Sequence, residues 1–352
     1  MQSIETVDVN FKIHTSIEKS DICFYPVLRE PFSLHGLIYQ NGQFRRMPEA
    51  VAKTVSSGVH YLHSNTSGGR VRFQTDSAYI AISAKMNNIG KMSHFALTGS
   101  AGFDLYVGSA FVTTFCPPFD ITEGYESVFE FKDREMREIT IHFPLYSDVC
   151  ELHIGLQKDA ALEAATPYKT QKPVIFYGSS ITQGGCASHP GNAYPAILSR
   201  RYGFDFVNMG FSGNAKGEQE MAHYLAGLDM SMFVLDYDHN APTLEHLEKT
   251  HFNLYKTVRA THPDIPIFIM SAVSKEWYRD HASQRWDVIF KTYQDAKNNG
   301  AICSFKVPHP FGKPILVPPT SATQAACVTD GLLFLLLSIR SCSKTVVYNL
   351  FV

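Results

Sequence analysis

Residues 174–185 read Val-Ile-Phe-Tyr-Gly-Ser-Ser-Ile-Thr-Gln-Gly-Gly, and this stretch decides the fold of the second half of the chain. Four apolar residues, β-branched or aromatic, are followed by a glycine, two serines and a flexible turn. This pattern is typical of a buried strand that ends at the edge of a sheet. We therefore expect Ser180 to stand just beyond a strand, where its hydroxyl can act as a nucleophile. An ordinary serine-rich turn gives the same pattern, so other segments have to decide between the two interpretations.

The chain after residue 173 alternates short apolar runs with amphipathic segments of helical length. The apolar runs are Val174–Tyr177, Phe206–Asn208, Met232–Tyr237 and Ile267–Met270, and the helical segments are Asn192–Tyr202, Glu218–Gly227, Leu244–His262 and Arg279–Asn299. This alternation predicts a parallel sheet covered by helices on both sides. Ligands of such sheets bind at the carboxyl ends of the strands. We therefore expect Ser180, Gly210–Asn214 and Asp238–Asn240 to meet at one edge.

The first half of the chain shows the two-residue alternation of β structure. Gly69–Met86 holds two such runs around a polar Thr-Asp-Ser turn, and shorter runs follow at Gly102–Gly108, Ile139–Phe143 and Glu151–Leu156. A period of two buries one face of each strand, which predicts two antiparallel sheets packed face to face. The predicted domains are thus a β-sandwich at 1–156, a polar, alanine-rich linker at 157–172, and an α/β domain at 173–352.

Composition excludes several classes of protein. The 352 residues are 45% hydrophobic and carry a net charge of −2, which describes a globular chain without the basic field that nucleic-acid binding needs. The seven cysteines have no metal-ligand spacing. The longest apolar run, Leu332–Leu337, is too short to span a bilayer, so no membrane partner is expected. The first residues lack the pattern of a secretory signal, which makes the cytoplasm the expected location.

The three segments expected at the sheet edge contain the groups that acyl transfer needs. A nucleophile requires hydrogen-bond donors aimed at the oxyanion that develops when it attacks a carbonyl. The backbone N–H groups of Ser180 and Gly213 and the side-chain amide of Asn240 are the candidate donors. A turn glycine and an asparagine that closes a strand give the same sequence, so each residue alone has a structural interpretation as well.

These motifs resemble the SGNH, or GDSL-type, esterase and acylhydrolase family. Its first block corresponds to Gly178-Ser-Ser-Ile181, with Ser180 at the nucleophile and Ser179 where most members have aspartate. Its second and third blocks correspond to Gly213 and Asn240, and a subgroup with an N-terminal β domain shares Gly102-Phe-Asp-Leu-Tyr106. The resemblance implies a β-sandwich followed by a flavodoxin-like three-layer α/β domain. It also implies a serine esterase acting on a small or glycan ester, often an acetylated carbohydrate, without metal or organic cofactor.

The C-terminal segment departs from this family pattern. The family places its acid and base as Asp-x-x-His, and Asp330 takes the acid position while Leu333 stands where the histidine belongs. No histidine follows His309, and residues 301–352 hold a single acidic residue. We hypothesise that this tail is divergent or frameshifted, which resequencing of codons 300–352 would decide. An enzyme that keeps Ser180, Gly213 and Asn240 without a base would turn its substrate over very slowly.

Three histidines are candidates for the missing base or for substrate contact. His309 is nearest in sequence to the vacant position, although it more readily fits an ordinary proline-fixed loop. His189 lies nine residues after Ser180, where it lines the substrate pocket or stands on a solvated loop. His239 should point away from Asn240 if both lie on extended backbone.

Two other functions compete with the esterase. The first is a catalytically weak or inactive glycan-binding protein that keeps the pocket without the chemistry. The second is a phosphate or nucleotide binder, which the order of strand, glycine turn and helix allows. The chain has neither the Gly-Lys-Ser/Thr ending of a P-loop nor the Gly-x-Gly-x-x-Gly spacing that such binders show.

Overall fold

The computed structural model describes residues 17–271, 279–300 and 303–306. These residues form two compact units. The first unit contains the described residues up to Glu49, together with Tyr61–Lys169 and Gly184–Gly203. The second contains Ala50–His60, Thr170–Gln183 and the described residues from Phe204 onward. Neither unit is therefore one uninterrupted stretch of chain.

The first unit is the predicted β-sandwich. Its strands are β1 Ile22–Pro26, β2 Ser33–His35, β3 Ile38–Gln40, β4 Gln43–Arg45, β5 Arg70–Thr75, β6 Tyr79–Asn88, β7 Phe103–Val107, β8 Ala110–Phe115, β9 Gly124–Glu130, β10 Arg137–His142, β11 Asp148–Gln157 and β12 Leu162–Glu163. One antiparallel sheet has the order β1-β11-β6-β9, and the other has the order β12-β5-β10-β7-β8 with β2 also on β5. The pair β3 and β4 forms a separate hairpin.

The core of the sandwich lies between the two sheets. Ile80 and Ile82 from β6 share one buried cluster with Phe73 from β5 and Ile141 from β10. The polar turn predicted between β5 and β6 is present, and it carries the chain from one sheet to the other rather than closing a hairpin. The alternation of apolar and polar residues thus gives each sheet one inward face.

The second unit is built on a parallel sheet. Its strands are β13 Val174–Gly178, β14 Phe206–Gly210, β15 Met232–Asp236, β16 Ile267–Met270 and β17 Cys303–Lys306, in the order β14-β13-β15-β16-β17. Every neighbouring pair is parallel. This is the 2-1-3-4-5 order of flavodoxin-like sheets, in which the chain changes direction of winding at the first strand. Ligands of such sheets bind at that point, so β13 and its two neighbours define where a site belongs.

The four longest helices of the described residues agree closely with the amphipathic segments of the sequence. In chain order, the helices are α1 Glu49–Val55, α2 Ser57–Leu62, α3 Leu97–Ser100, α4 Ser180–Gln183, α5 Tyr194–Tyr202, α6 Gln219–Ala226, α7 Leu244–Thr261 and α8 Arg279–Asn298. Helix α7 begins where the side chain of Thr243 accepts a hydrogen bond from the His246 N–H, and α5 ends at Gly203 in the left-handed conformation. Helix α5 was expected beside the parallel sheet, but its residues belong to the first unit.

The length and apolar character of the helices decide whether any of them could cross a membrane. Across residues 17–271, 279–300 and 303–306, none combines the length and the apolar character required to cross a bilayer.

Candidate functional site

The carboxyl ends of three adjacent strands are level with one another and joined by backbone hydrogen bonds. Gly178 at the end of β13 pairs in register with Gly210 of β14 and Asp236 of β15. Beyond the strands, the Ser179 N–H donates to the Asp236 carbonyl at 3.2 Å, and the Phe211 N–H donates to the Gly178 carbonyl at 2.9 Å. The segments that carry Ser180, Gly213 and Asn240 therefore leave the sheet at the same edge.

Ser180 is the first residue of the one-turn helix α4. Its neighbour Ser179 is buried and caps that turn, because the Ser179 Oγ accepts a hydrogen bond from the Ile181 N–H at 3.2 Å. Ser180 itself is half-buried, and its hydroxyl forms no hydrogen bond with any residue that the structure describes. The serine that replaces the family's usual aspartate thus has a structural role, while the Ser180 hydroxyl stays free of these neighbours.

A buried polar network fixes α4 against the neighbouring strands, and sequence reasoning did not find it. Thr182 donates from Oγ1 to Asp236 Oδ2 at 3.1 Å, and its carbonyl accepts a hydrogen bond from Asn208 Nδ2 at 2.7 Å. Gln183 Oε1 accepts a hydrogen bond from the Ser212 N–H at 2.9 Å. The signal was present in the Thr-Gln pair of the first motif, but polar residues after a strand do not reveal their partners.

The glycines of the first two motifs are required for different reasons. A Cβ on Gly178 would lie 2.1 Å from Thr182 Oγ1, and one on Gly210 would lie 2.2 Å from the backbone nitrogen of Gln183. Both glycines therefore let α4 approach the strands. Gly213 instead has a φ of 68°, with no atom of the described residues within 4 Å of where its Cβ would be. The open space beside Gly213 leaves room for another molecule near its backbone.

Asn240 lies in a tight turn rather than on extended backbone. Asp238–Asn240 form one turn of 3-10 helix, so the extended geometry assumed for His239 and Asn240 is wrong. Asn240 Nδ2 donates to the Phe211 carbonyl at 2.9 Å. An amide nitrogen carries two hydrogens, which leaves a second donor at Nδ2. This contact joins the segment that follows β15 to the segment that follows β14.

The loop from Phe211 to Glu218 is held at its far end by one buried and two half-buried side chains. The Gly217 N–H donates to the phenol oxygen of Tyr177 at 2.9 Å, and His246 Nε2 donates to the Lys216 carbonyl at 2.7 Å. Glu218 Oε2 accepts a hydrogen bond from the Lys216 N–H at 3.2 Å, and burial raises the pKa of this carboxyl. These contacts fix the loop that presents Gly213.

His189 lies in the first unit and is paired with a buried carboxylate. Its side chain is 15% exposed, and its Nδ1 donates to Asp104 Oδ2 at 2.5 Å. The imidazole ring stacks on Phe111 with 4.3 Å between ring centres. His189 is thus not a residue of a solvated loop, because its ring is packed and one nitrogen is committed to Asp104.

The Gly-x-Asp-Leu-Tyr motif binds the segment that contains His189. Asp104 is fully buried, and its Oδ2 also accepts a hydrogen bond from the Gly191 N–H at 2.6 Å. The guanidinium of Arg200 lies 4.2 Å above the ring of Tyr106, and a Cβ on Gly191 would lie 2.2 Å from the Tyr106 hydroxyl. The motif therefore explains why Gly184–Gly203 belongs to the first unit.

Part of the predicted site lies outside the described residues. Asp330, His309 and the Leu333 position all fall in that remainder. Within the ranges that the structure covers, no three His, Cys, Asp or Glu side chains are grouped so as to hold a metal ion.

A parallel sheet of this order, with a serine beyond its first strand and a β-sandwich earlier in the chain, is the architecture that the resemblance to SGNH hydrolases implies. Residues 171–298 match the GDSL-like lipase/acylhydrolase family, and residues 22–162 match the GxDLY N-terminus of SGNH hydrolase-type esterases. These two matches, together with the structures described below, confirm the resemblance to that family and the predicted fold class. No curated protein sequence matches the chain.

Several solved structures share this fold. A protein described as a GDSL-like lipase from Bacteroides ovatus is 27% identical with a TM-score of 0.72, covering 81% of this chain and 86% of its own. The salicylyl-acyltransferase SsfX3 from a tetracycline biosynthetic pathway is 16% identical with a TM-score of 0.66, covering 92% and 98%. A family two carbohydrate esterase from Cellvibrio japonicus is 11% identical with a TM-score of 0.57, covering 91% and 98%.

Proposed function

We propose that this protein is a serine esterase that removes an acetyl group from an acylated carbohydrate or a similar small ester. The family match supports ester hydrolysis. The observation that carries the assignment to these residues is the junction of three strand ends. There, Asn240 Nδ2 donates to the Phe211 carbonyl, and the Phe211 N–H donates to the Gly178 carbonyl at the end of β13. A nucleophile and two independent donor groups on one edge of a sheet are what acyl transfer requires.

In the proposed reaction, Ser180 Oγ attacks the ester carbonyl and forms a tetrahedral oxyanion. The backbone N–H groups of Ser180 and Gly213 and the remaining N–H of Asn240 Nδ2 stabilise the negative charge on that oxygen. Because the polar network already fixes α4 and the loop after β14, these donors need little reorganisation as the charge develops. The alcohol then leaves, and water hydrolyses the acyl-serine. A base outside the described residues takes the Ser180 proton during the attack and returns it to the leaving alcohol, and Asp330, at the family's acid position, is assigned to orient that base.

The proposal that the substrate is a carbohydrate ester is supported by structures that share the fold. Family two carbohydrate esterases share the fold at 11% to 15% identity, which makes a glycan ester a reasonable substrate class to test first. The short acyl group follows from the resemblance stated for the sequence. Release of acetate from an acetylated xylo-oligosaccharide, compared with hydrolysis of p-nitrophenyl butyrate, would decide between a glycan acetyl ester and a longer acyl chain.

The decisive test is p-nitrophenyl acetate hydrolysis by the wild-type chain and the Ser180→Ala variant between pH 5 and 9. We expect turnover to vanish with Ser180→Ala. The matched control is Ser231→Ala, because the Ser231 hydroxyl donates to the Pro173 carbonyl before the strands begin. A rate that levels off above a pKa of about 6.5 would identify a histidine base, and His309 would be the first to substitute. Equal rates in wild type and Ser180→Ala would contradict the proposal.

Glycan binding with little or no hydrolysis is the second candidate function. It is favoured by Leu333, which stands where the family has its histidine. In serine hydrolases that lose a triad member, roughly 10³–10⁴-fold catalysis over water remains from binding and the oxyanion donors. Calorimetric binding of an acetylated xylo-oligosaccharide without acetate release would support this function, whereas binding accompanied by release supports the esterase.

A further inference from the structure

We propose that Arg285 is a positioning residue that holds Asn240 in place for oxyanion stabilisation, an inference that rests on the proposed function. Arg285 lies on α8 and reaches the turn that follows β15. Its Nη1 donates to the Asp238 carbonyl at 2.6 Å, and its Nη2 donates to the Ala241 carbonyl at 2.8 Å. One guanidinium thus binds the backbone on both sides of Asn240.

Two backbone hydrogen bonds lie within the turn itself. The Asn240 N–H donates to the Tyr237 carbonyl at 2.9 Å, while the Ala241 N–H reaches the Asp238 carbonyl at only 3.3 Å. Because a guanidinium is planar and presents its donors in a fixed fork, it fixes the relative orientation of the two carbonyl groups that it binds. The peptide groups that flank Asn240 are therefore oriented by a side chain that lies 44 residues beyond Ala241.

A second contact holds the same turn from the residue that follows β16. The Ser271 hydroxyl donates to Asp238 Oδ2 at 3.0 Å, and both residues are buried. Asp238 is thus bound through its side chain by Ser271 and through its carbonyl by Arg285. A shift of this turn would move the Asn240 amide, and displacement of a catalytic donor by about 1 Å can cost on the order of 10²-fold in rate.

The chain also offers a matched control for a guanidinium that binds backbone carbonyls. Arg259 Nη1 donates to the carbonyls of His262, Pro263 and Ile265 at 3.0, 2.8 and 2.8 Å. These carbonyls precede β16, so they lie at the amino end of that strand, while the candidate site lies beyond the carboxyl ends. Arg259→Lys therefore changes the same kind of contact away from the candidate site.

The test compares Arg285→Lys and Arg285→Met with Asn240→Ala and the Arg285→Lys/Asn240→Ala double variant. Lysine keeps the positive charge but cannot bind both carbonyls as a fork, so it separates positioning from charge. With p-nitrophenyl acetate we expect Arg285→Lys to lower kcat by about 10-fold to 10²-fold with KM nearly unchanged. The double variant should be no slower than Asn240→Ala, and Arg259→Lys should match the wild type.

Hydrogen exchange of the peptide that covers residues 236–243 tests the contact without turnover. We expect faster exchange in both Arg285 variants and wild-type exchange there in Arg259→Lys. Unchanged exchange in the Arg285 variants, or an Arg285→Lys loss that adds fully to that of Asn240→Ala, would overturn the inference. If Asn240→Ala is slower than the wild type but Arg285→Lys is not, the role of Arg285 is overturned and the proposed role of Asn240 stands. Wild-type turnover in Asn240→Ala overturns the role proposed for that side chain as well.

Discussion

Gly210 ends β14 and Gly213 stands three residues later in the loop that follows, and a glycine at either position lets another group approach the backbone. For Gly210 the approaching group is the chain itself, because the backbone of Gln183 occupies the place of a Cβ. Gly213 is open on that side and is required for its positive φ. Gly210 is therefore needed for folding, whereas Gly213 leaves its backbone accessible to a substrate.

Alanine at these two glycines should have different effects. Gly210→Ala places a Cβ 2.2 Å from a backbone nitrogen that cannot move freely, and overpacking this severe should cost about 3 kcal/mol or more. Gly213→Ala has space for the methyl group and should cost about 1–2 kcal/mol for the left-handed backbone. Urea unfolding of both variants measures the difference, and p-nitrophenyl acetate hydrolysis shows whether folded Gly213→Ala is slow. Equal stability of the two variants would contradict this assignment.

At the scale of helices and strands, local periodicity predicted where these elements lie better than it predicted which residues they contact. Helix α7 was expected at 244–262 and occupies Leu244–Thr261, and β13 to β16 lie where the apolar runs indicated. Helices α1 and α2, within Glu49–Leu62, were not predicted, because short helices give too few turns for a clear period. The turn Asp238–Asn240 was also missed, because the contacts that hold it come from Arg285 and Ser271, which lie far away in the sequence.

The packing of α7 on α8 contains a buried histidine that should make the second unit sensitive to acid. His251 is hydrogen-bonded to Thr292 and stacks on Tyr237, and burial lowers its pKa from 6.5 to about 3. Between these values the unfolded chain binds a proton that the folded chain does not. Stability is therefore fully present above pH 6.5 and is lost as the pH falls towards 3, by at most about 1.4 kcal/mol per pH unit.

Replacement of this histidine should flatten the pH dependence. We expect His251→Gln to be less stable than the wild type at pH 7.5, but to lose less stability between pH 7.5 and 5. Urea unfolding followed by tryptophan fluorescence measures both quantities. The exposed His94 serves as the control, and His94→Gln should keep the wild-type pH dependence. If His251→Gln loses as much stability between pH 7.5 and 5 as the wild type does, His251 is not the source of the acid sensitivity.

At the scale of the whole molecule, the two units interleave along the chain, which no local pattern in the sequence indicated. A single linker was expected at 157–172, whereas residues 184–203 group with the sandwich and residues 50–60 group with the parallel sheet. The reason lies in the Gly-x-Asp-Leu-Tyr motif, whose Asp104 and Tyr106 contact His189, Gly191 and Arg200. The sequence identified the motif as a family signature, but contacts over such separations cannot be inferred from composition or period.

Removal of the Asp104 carboxylate should release the segment 184–203 from the first unit. In Asp104→Ala the Gly191 N–H, the Thr114 hydroxyl and His189 Nδ1 lose their acceptor, and each buried donor left unsatisfied costs about 1–3 kcal/mol. We therefore expect a lower melting temperature and faster tryptic cleavage after Arg200 and Arg201, which lie within that segment. Asp120→Ala, at an exposed carboxylate of the same unit, should cleave as the wild type does. If Asp104→Ala melts earlier but cleavage at these arginines is unchanged, Asp104 stabilises the sandwich without holding the segment, and the interleaving must depend on Tyr106 and Arg200 instead.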